Sequence, residues 1–568
     1  MNKGRTRRGP VTAVTDGITR RGPVTAVPNG ITRRGLLASA AGVAAGLTLS
    51  ACGDHVPVST AAANAQVPLP TYLPYRGVET AMPATADGVA PGHLHYPEDP
   101  VRAFPDGPPA KGDPIDIMTL IFNPVPPPVD RNTMWQALNR YVGCDLNFRI
   151  TPVGDYPSKF AVTIAGGDLP DAMLMLPPNS NAAASPDMMN TLFEDLTPHL
   201  SGDAVRDYPY LANIPSASWA MTVFNGGIYS VPMPRPLSGG PNFVRLDLLK
   251  ERGLDPNPKN WAEFVKLCQD ATDPKAGRYA LGESVTAWDF AMQSLGAPNK
   301  WREEGGRFTW YHETEEAKQA LDAVRSLTKA GLMHPDTYTV LGKAKEWFGT
   351  GHTVMNPDGP VAWNDYYTVY GPNAKGMDIG HMIAPGWDGG AGVQWQGQSS
   401  YATLLLKKAP KARIQQILRA LNALASPFGT DGYLLRKYGV QGPDHTLRGT
   451  DPVLTPQGTA EVTLPTIFAT DAPFTLYYPN KTDIVADQYA FQKQAIQQRL
   501  PNPAESLYSP TNARKSGLLQ TGLDDTRKGI MQGRLPLSEW DDAMRTWRRE
   551  AGDQIRAEYE QAWEARTA

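Results

Sequence analysis

The pattern of apolar and polar positions along the body of the chain alternates between the periods of strands and helices. Apolar runs and every-second-residue alternation predict strands at 115–121, 145–150 and 172–176. Helical spacing with glycine stops predicts helices at 132–141 and 157–165. Strands that alternate with helices in this way predict an α/β sheet.

A second α/β unit is predicted to begin with the strand Phe243–Val244, followed by a short helix over 247–252. Asn260 and Thr314 each stand where a helix N-cap is expected. A long amphipathic helix is predicted from about Ser538. Its apolar face consists of Trp540, Met544, Trp547, Ala551, Ile555 and Tyr559.

The N-terminus has the layout of an export signal. A basic region precedes the uncharged stretch 36–51, which is rich in Leu, Ala and Gly and too short for a ~20-residue membrane span. Thr32-Arg33-Arg34-Gly35-Leu36-Leu37 resembles a twin-arginine motif, and Leu49-Ser50-Ala51-Cys52 matches the bacterial lipobox. We expect residues 1–51 to be a signal peptide and Cys52 to carry the lipid anchor. An ordinary cleaved signal with an incidental Cys is the alternative.

Composition bounds the rest of the chain. Residues 52–112 are crowded with Pro, Ala and Gly, which predicts a flexible tether behind the lipidated Cys52. The 568 residues are enough for two or more lobes with full cores. The formal net charge of -3 with dispersed Lys and Arg indicates that no nucleic acid is bound.

Four further segments match segments of a known protein family and follow one another in the same order as in that family. They are AGGDLPD at 165–171, GIYSVP at 227–232, FVRLDLLKERGL at 243–254 and FGTGHTVM at 348–355. This pattern resembles the extracellular solute-binding proteins of family 1, in particular the large lipoproteins attached to carbohydrate importers of the ABC type. The likeness covers roughly residues 113–568.

The resemblance implies a periplasmic-binding-protein-like fold, with two α/β lobes joined by a hinge around an interlobe cleft. Lobe one is expected at 113–235 with a returning segment near 385–430. Lobe two is expected at 240–382 together with the remainder, 431–568. Such lobes close on a ligand that contacts both of them.

The two cysteines of the body, Cys144 and Cys268, lie on apolar faces, so buried thiols are the better interpretation. The family layout places them in different lobes, which implies that they stay unpaired. No Cys and His spacing suggests a metal site, and no cofactor is expected.

A sugar-binding cleft needs aromatic plates and planar hydrogen-bonding groups. The segment 355–363 is similar to a family segment with two aromatic residues, of which Trp363 keeps the second while Val361 replaces the first. Trp395, Gln396 and Gln398 lie in a Gly-rich stretch, and Trp288 follows a predicted strand end. The candidate ligand-binding residues are Trp288, Asp358, Trp363, Trp395, Gln396 and Gln398. Core packing is the competing interpretation for each Trp.

The expected function is therefore that of a monomeric receptor, lipid-anchored at the outer face of the cytoplasmic membrane. It captures a small solute, an oligosaccharide by the resemblance, and delivers it to the permease subunits of an ABC importer. A secreted carbohydrate-active hydrolase is the alternative, although Gly397-Gln398-Ser399-Ser400-Tyr401 fails the GxSxG motif. A cell-surface scaffold is a weaker alternative, because it needs no two-lobed body.

Overall fold

The computed structural model describes residues 61–122, 124–177, 186–340 and 343–567. The predicted signal peptide and Cys52 lie outside the described residues. The strands are β1 Ile115–Ile121, β2 Leu146–Pro152, β3 Ala172–Met175, β4 Val223–Phe224, β5 Gly227–Ile228, β6 Ser230–Pro234, β7 Asn242–Arg245, β8 Tyr279–Leu281, β9 Trp301–Glu304, β10 Arg307–Trp310, β11 Thr353–Pro357, β12 Ile379–Met382, β13 Gln394–Trp395, β14 Ser400–Leu406, β15 His445–Arg448, β16 Asp451–Leu454 and β17 Arg499–Leu500.

Twenty α-helices are described. They are α1 Ala61–Ala65, α2 Thr133–Val142, α3 Tyr156–Gly166, α4 Pro186–Leu192, α5 Thr197–Leu200, α6 Pro209–Ala212, α7 Ser216–Ala220, α8 Leu246–Lys250, α9 Trp261–Ala271, α10 Ser284–Ser294, α11 Glu315–Lys329, α12 Ala344–Gly349, α13 Ala362–Asp365, α14 Lys411–Leu424, α15 Asp431–Tyr438, α16 Pro456–Glu461, α17 Thr482–Gln497, α18 Pro510–Met531, α19 Glu539–Trp547 and α20 Asp553–Thr567. In this part of the chain, no helix has the length and apolar character of a membrane span.

Five strands form the first sheet, in the order β2-β1-β3-β14-β6. Strand β1 pairs in parallel with β2 and β3, with Ile115 opposite Leu146 and Ile117 opposite Ala172. Strand β14 runs antiparallel to both β3 and β6. The carboxyl ends of β1, β3 and β6 therefore meet the amino end of β14 at one edge of the sheet.

Four strands form the second sheet, in the order β12-β7-β11-β8. Strand β11 is parallel to β8 and antiparallel to β7, and β12 is antiparallel to β7. The carboxyl ends of β8, β11 and β12 thus share an edge with the amino end of β7.

Local capping explains where the helices beside these sheets begin. The Asn132 side chain accepts a hydrogen bond from the Trp135 N–H at 2.7 Å, and Gly143, in the left-handed region, ends α2. Asn260 caps α9 through the Glu263 N–H at 2.8 Å. The predicted starts of both helices are confirmed.

Separate hydrophobic clusters fill the two halves of the molecule. The first sheet packs in one cluster, while the second sheet has a cluster on each face. The predicted C-terminal apolar face, from Trp540 to Tyr559, is buried in one of the second sheet's clusters. Cys144 lies in the first cluster and Cys268 in the second, and both thiols are free.

The chain after residue 430 departs from the expected lobe assignment. Leu464 and Phe468 pack in the cluster of the first sheet, and the Glu461 carboxylate accepts a hydrogen bond from the Met134 N–H at 3.1 Å. Residues 431–469 therefore complete the first half rather than the second. The reason is burial, because α16 contacts the first turn of α2, and Leu464 and Phe468 after α16 are buried.

The tether expected over 52–112 also needs correction. Tyr96 is buried, its hydroxyl donates to the Thr430 carbonyl at 2.7 Å, and its N–H donates to Asp451 at 2.9 Å. Ala110 is buried in the first cluster. The apolar residues among the prolines bury surface on the body, so the described part of this segment is packed structure.

From β1 onwards, the described chain crosses between the two sheets at residues 235–241, 383–399 and 470–475. These crossings form the hinge. A Cβ on Gly239 would lie 2.2 Å from the Trp395 carbonyl oxygen, so the first two crossings touch at a position where only glycine fits.

Candidate functional site

Three aromatic rings lie at the carboxyl edge of the first sheet. Phe122 follows β1 and is 59% exposed, Tyr401 stands at the start of β14, and Phe468 is buried between the strand ends. The Phe122 ring centroid is 6.2 Å from that of Tyr401 and 5.8 Å from that of Phe468. We call this group the aromatic platform. Its exposed ring is the kind of apolar plate that ligand pockets use.

Positive charge borders the platform. The Arg235 guanidinium, directly after β6, lies 5.4 Å from the centroid of the Tyr401 ring. From α15, Arg436 and Lys437 both pair with Asp471, at 2.6 Å and 3.1 Å. Arg235, Arg436, Lys437 and Asp471 form what we call the basic cluster, in which three cations surround one carboxylate.

The pKa values in this cluster reflect its excess of cations over carboxylates. Burial raises the pKa of Asp471, but Arg436, Lys437 and Arg235 outweigh burial and hold it at about 2. Burial, helped by the two arginines and opposed by the attraction of Asp471, lowers the pKa of Lys437 to about 8. The surface beside the platform is therefore positively charged at neutral pH.

Trp395 occupies the hinge crossing between the sheets. Its indole N–H donates to the Ala297 carbonyl at 3.0 Å, and its backbone N–H donates to the Gln293 side chain at 3.1 Å. The half-buried ring packs edge-to-face on Tyr311, with centroids 5.7 Å apart. These bonds fix the orientation of the indole relative to the second half.

A second group of polar residues surrounds Trp395. The Lys300 ammonium lies 5.6 Å from the Trp395 ring centroid and donates to the Tyr311 hydroxyl at 3.1 Å. Burial lowers the pKa of Lys300, but Tyr311 and Asp289 more than offset it, so this pKa is raised. Burial raises the pKa of Asp289 despite the attraction of Lys300. Asp289, Lys300, Tyr311 and Trp395 form what we call the hinge group.

Two carboxylates lie at the carboxyl edge of the second sheet. Asp358, directly after β11, accepts hydrogen bonds from the Gly359 N–H at 2.7 Å and the Tyr366 hydroxyl at 3.1 Å. Burial raises the pKa of Asp358. Burial also raises the pKa of Glu283, two residues after β8, and Asp289 and Asp358 raise it further. The Asp358 carboxylate is therefore a hydrogen-bond acceptor beside the hinge.

Two of the predicted ligand-binding tryptophans are core residues in this structure. Trp363 has no exposed surface and packs edge-on against Phe243, with centroids 5.3 Å apart. Trp288 is equally buried, and its N–H donates to the Ala317 carbonyl at 3.2 Å. The expectation that Trp363 faces the cleft does not hold here, because helix α17 and its Phe491 pack in the same cluster.

The other predicted residues lie near the hinge. Trp395 is half-buried, Gln398 is exposed, and Gln396 is held through its backbone by Leu500 and Asn299, each at 3.0 Å. The structure therefore brings Trp395, Gln396 and Gln398 onto one hinge crossing. A role for them in ligand binding stays a prediction.

Sequence reasoning missed the aromatic platform and Arg235. Phe122 directly follows the first predicted strand, and Arg235 directly follows β6. Because ligands in α/β folds bind outside the carboxyl ends of strands, residues one position past a strand are the signal that identifies such positions.

Another concave surface lies in the second half. A cavity of about 470 Å³ between α9 and α11 has Trp261 stacked on Trp387, with ring centroids 4.8 Å apart. Within the described ranges, no three His, Cys, Asp or Glu side chains are grouped to hold a metal ion.

Comparison with known families and structures identifies the class. The family described as bacterial extracellular solute-binding protein matches residues 136–423, more than half of the chain. The chain belongs to this family. Its fold is that of two-lobed periplasmic-binding-protein-like receptors, to which solved structures are similar.

Particular relatives support this assignment. Lipoprotein LipO of Bacillus subtilis (strain 168) is 24% identical over 471 residues, covering 78% of this chain and 91% of the relative. The polygalacturonan/rhamnogalacturonan-binding protein YtcQ of the same strain is also 24% identical, covering 79% and 91%. The alginate-binding protein AlgQ2 is similar in structure, with a TM-score of 0.62, 15% identity and coverage of 80% and 98%. The N-glycan transport solute-binding protein of Streptococcus pneumoniae gives a TM-score of 0.58 at 14% identity, with coverage of 80% and 100%.

Proposed function

We propose that this chain is a receptor that captures an oligosaccharide outside the cytoplasmic membrane and delivers it to an ABC importer. The family supports solute binding. Relatives whose names state a ligand bind polygalacturonan, alginate or N-glycans. The permease subunits of the importer are the partner, and the receptor acts as a monomer.

The exposed Phe122 ring carries the proposal. A sugar presents apolar C–H faces that stack on aromatic rings, and its hydroxyls need polar groups at the rim of the ring. The platform supplies the ring, while Arg235 lies within 5.4 Å of Tyr401 at its side. A large aromatic ring exposed at a strand end of this fold is explained by stacking on a ligand.

Closure of two lobes on the ligand is part of the proposal. We place the first lobe at residues 113–235 and 400–469 and the second at 242–382 and 476–567, which revises the assignment from sequence. The end of the hinge crossing at 383–399 and the start of β14 join Trp395 in the hinge group to Tyr401 in the platform. A ligand that touches both groups stabilises the closed form.

Within this arrangement, Trp395, Gln396 and Gln398 contact the ligand from the hinge, and Asp358 accepts hydroxyl hydrogen bonds from the second lobe. Buried Trp288 and Trp363 are assigned to the core instead.

Membrane attachment through Cys52 completes the proposed function. A diacylglycerol on the Cys52 sulfur holds a soluble body at the bilayer, because each buried methylene contributes ~0.8 kcal/mol. A Cys52→Ser variant is expected in the medium or with its signal uncleaved. Processed, membrane-attached Cys52→Ser protein would overturn this part.

Calorimetric titration of the mature chain against a panel of oligosaccharides tests the function. Binding without turnover is expected. A ligand concentration of 100 times the dissociation constant should also raise the free energy of unfolding by ~2.7 kcal/mol. Product formation would instead identify a hydrolase. Absence of both binding and turnover across neutral and acidic oligosaccharides would contradict the proposal.

A further inference from the structure

The basic cluster carries more positive charge than its own carboxylate neutralises. The Asp471 carboxylate forms ion pairs with both Arg436 and Lys437, at 2.6 Å and 3.1 Å. Arg235 has no ion pair within 4.0 Å in the described part of the chain, and its Nη1 donates to the Pro234 carbonyl at 3.0 Å. Arg235 and Lys437 also repel each other. An unneutralised pair of cations on a half-buried surface is costly unless an anion joins it.

Hydrogen bonding within the cluster is incomplete as well. Arg436 is 1% exposed at its side chain, yet within the described residues its three guanidinium nitrogens have no hydrogen-bond partner of good geometry. Its contact with Asp471 is therefore an ion pair only. Lys437 is 29% exposed, so the cluster is open to solvent on the Lys437 and Arg235 side.

The position of the cations suits one kind of ligand. Arg235 stands at the rim of the aromatic platform, with its guanidinium 5.4 Å from the Tyr401 ring centroid. A sugar stacked on that platform would present the substituents of its ring edge to Arg235. A carboxylate at that edge can take two parallel N–H···O bonds from a guanidinium, a geometry that a hydroxyl cannot match.

We propose that Arg235 and Lys437 form a carboxylate-binding subsite, so that the oligosaccharide contains a uronic acid whose ring stacks on Phe122 and Tyr401. This inference rests on the proposed function. Arg436 and Asp471 lie behind the subsite: Asp471 holds Lys437, and Arg436 adds positive charge that keeps the cluster attractive to an anion. The hinge group then contacts the neighbouring, uncharged part of the ligand.

The test compares an oligogalacturonate with its methyl ester of the same length, which keeps the ring and removes the charge. Calorimetric titration of the mature chain should give at least ~10-fold tighter binding of the acid. Raising the salt concentration should weaken binding of the acid and leave the ester unchanged. Equal affinity for acid and ester overturns the subsite while leaving an oligosaccharide receptor in place. Failure of acid, ester and neutral oligosaccharides alike overturns the proposed function with it.

Variants test whether Arg235 causes the preference for the acid over the ester. Arg235→Gln should lower the affinity for the acid by ~10-fold or more and leave the affinity for the ester within about 2-fold. Arg235→Lys should restore part of the loss, because it keeps the charge without the bidentate geometry. Lys266→Gln, which removes a 68% exposed cation on α9, is the matched control and should change neither affinity.

A loss of affinity for acid and ester to the same degree in Arg235→Gln would overturn the assignment. If the variant does not fold, the acid-to-ester ratio of the unaltered chain still decides the proposal.

Discussion

The aromatic platform of the first lobe and the Trp363 cluster of the second lobe use similar residues with opposite results. Phe122 follows β1 by one residue and is 59% exposed, whereas Trp363 follows β11 by six residues and has no exposed surface. The difference lies in what packs over each ring. Helix α17 places Phe491 6.5 Å from the Trp363 centroid, while the open side of Phe122 faces the carboxyl edge of its sheet.

Residue type therefore does not decide whether an aromatic ring is a binding plate or a core residue. The elements packed around each ring decide instead: α17 packs in the same cluster as Trp363, whereas Phe122 lies exposed at the end of β1. Four substitutions separate the two roles.

Truncation of the second-lobe ring is expected to have the largest effect. Trp363→Ala removes a fully buried side chain that packs against Phe243 and His381. It should lower the free energy of unfolding by about 3–5 kcal/mol, measured by denaturant titration. Phe122→Ala is the matched control and should cost less than about 0.5 kcal/mol. Similar losses for the two variants would refute the comparison.

Acid sensitivity of the same cluster is the next prediction. Burial lowers the pKa of His381 from 6.5 to about 4, so the folded state binds fewer protons than the unfolded chain between these pH values. Stability from the neutral imidazole is present above pH 6.5 and is lost as the pH falls towards 4. The loss should be about 2–3 kcal/mol by denaturant titration. His381→Leu should flatten this part of the pH profile, and an unchanged slope would show that His381 is not the cause.

Truncation of the first-lobe ring should affect binding instead of folding. Phe122→Ala removes the exposed plate and should weaken oligosaccharide binding by about 1–2 kcal/mol, measured by calorimetry. Val162→Ala, at a 66% exposed apolar residue of α3 outside the platform, is the control and should bind normally. If the Phe122→Ala variant binds with normal affinity, the platform is not part of the ligand-binding site.

The smallest effect is expected at the hinge group. Lys300→Met removes the ammonium that lies 5.6 Å from the Trp395 ring centroid and should weaken binding by about 0.5–1 kcal/mol. The change in tryptophan fluorescence on ligand addition should also be smaller in this variant. An unchanged affinity and fluorescence response would limit the site to the first lobe.

Local sequence signals predicted much of the fold. The caps at Asn260 and Thr314 lie where they were expected, because capping depends on residues three positions apart. The apolar face from Trp540 to Tyr559 is buried as its period indicated.

What the sequence did not predict depends on contacts between distant segments. Leu464 and Phe468 join the first cluster through α2, which lies more than 300 residues earlier. Tyr96 is fixed by Thr430 and Asp451. Likewise, the burial of Trp363 depends on α17, so neither its neighbours in sequence nor its residue type indicated that it is covered.

Hydrogen–deuterium exchange with and without a bound oligosaccharide decides whether the platform and the hinge group bind the ligand, because it locates the ligand on the folded chain. Slower exchange is expected after β1 at Phe122, at the start of β14 around Tyr401, and around Lys300 and Tyr311 beside the hinge. Protection confined to the cavity between α9 and α11, with no change at Phe122 or Tyr401, would show that the platform does not bind the ligand.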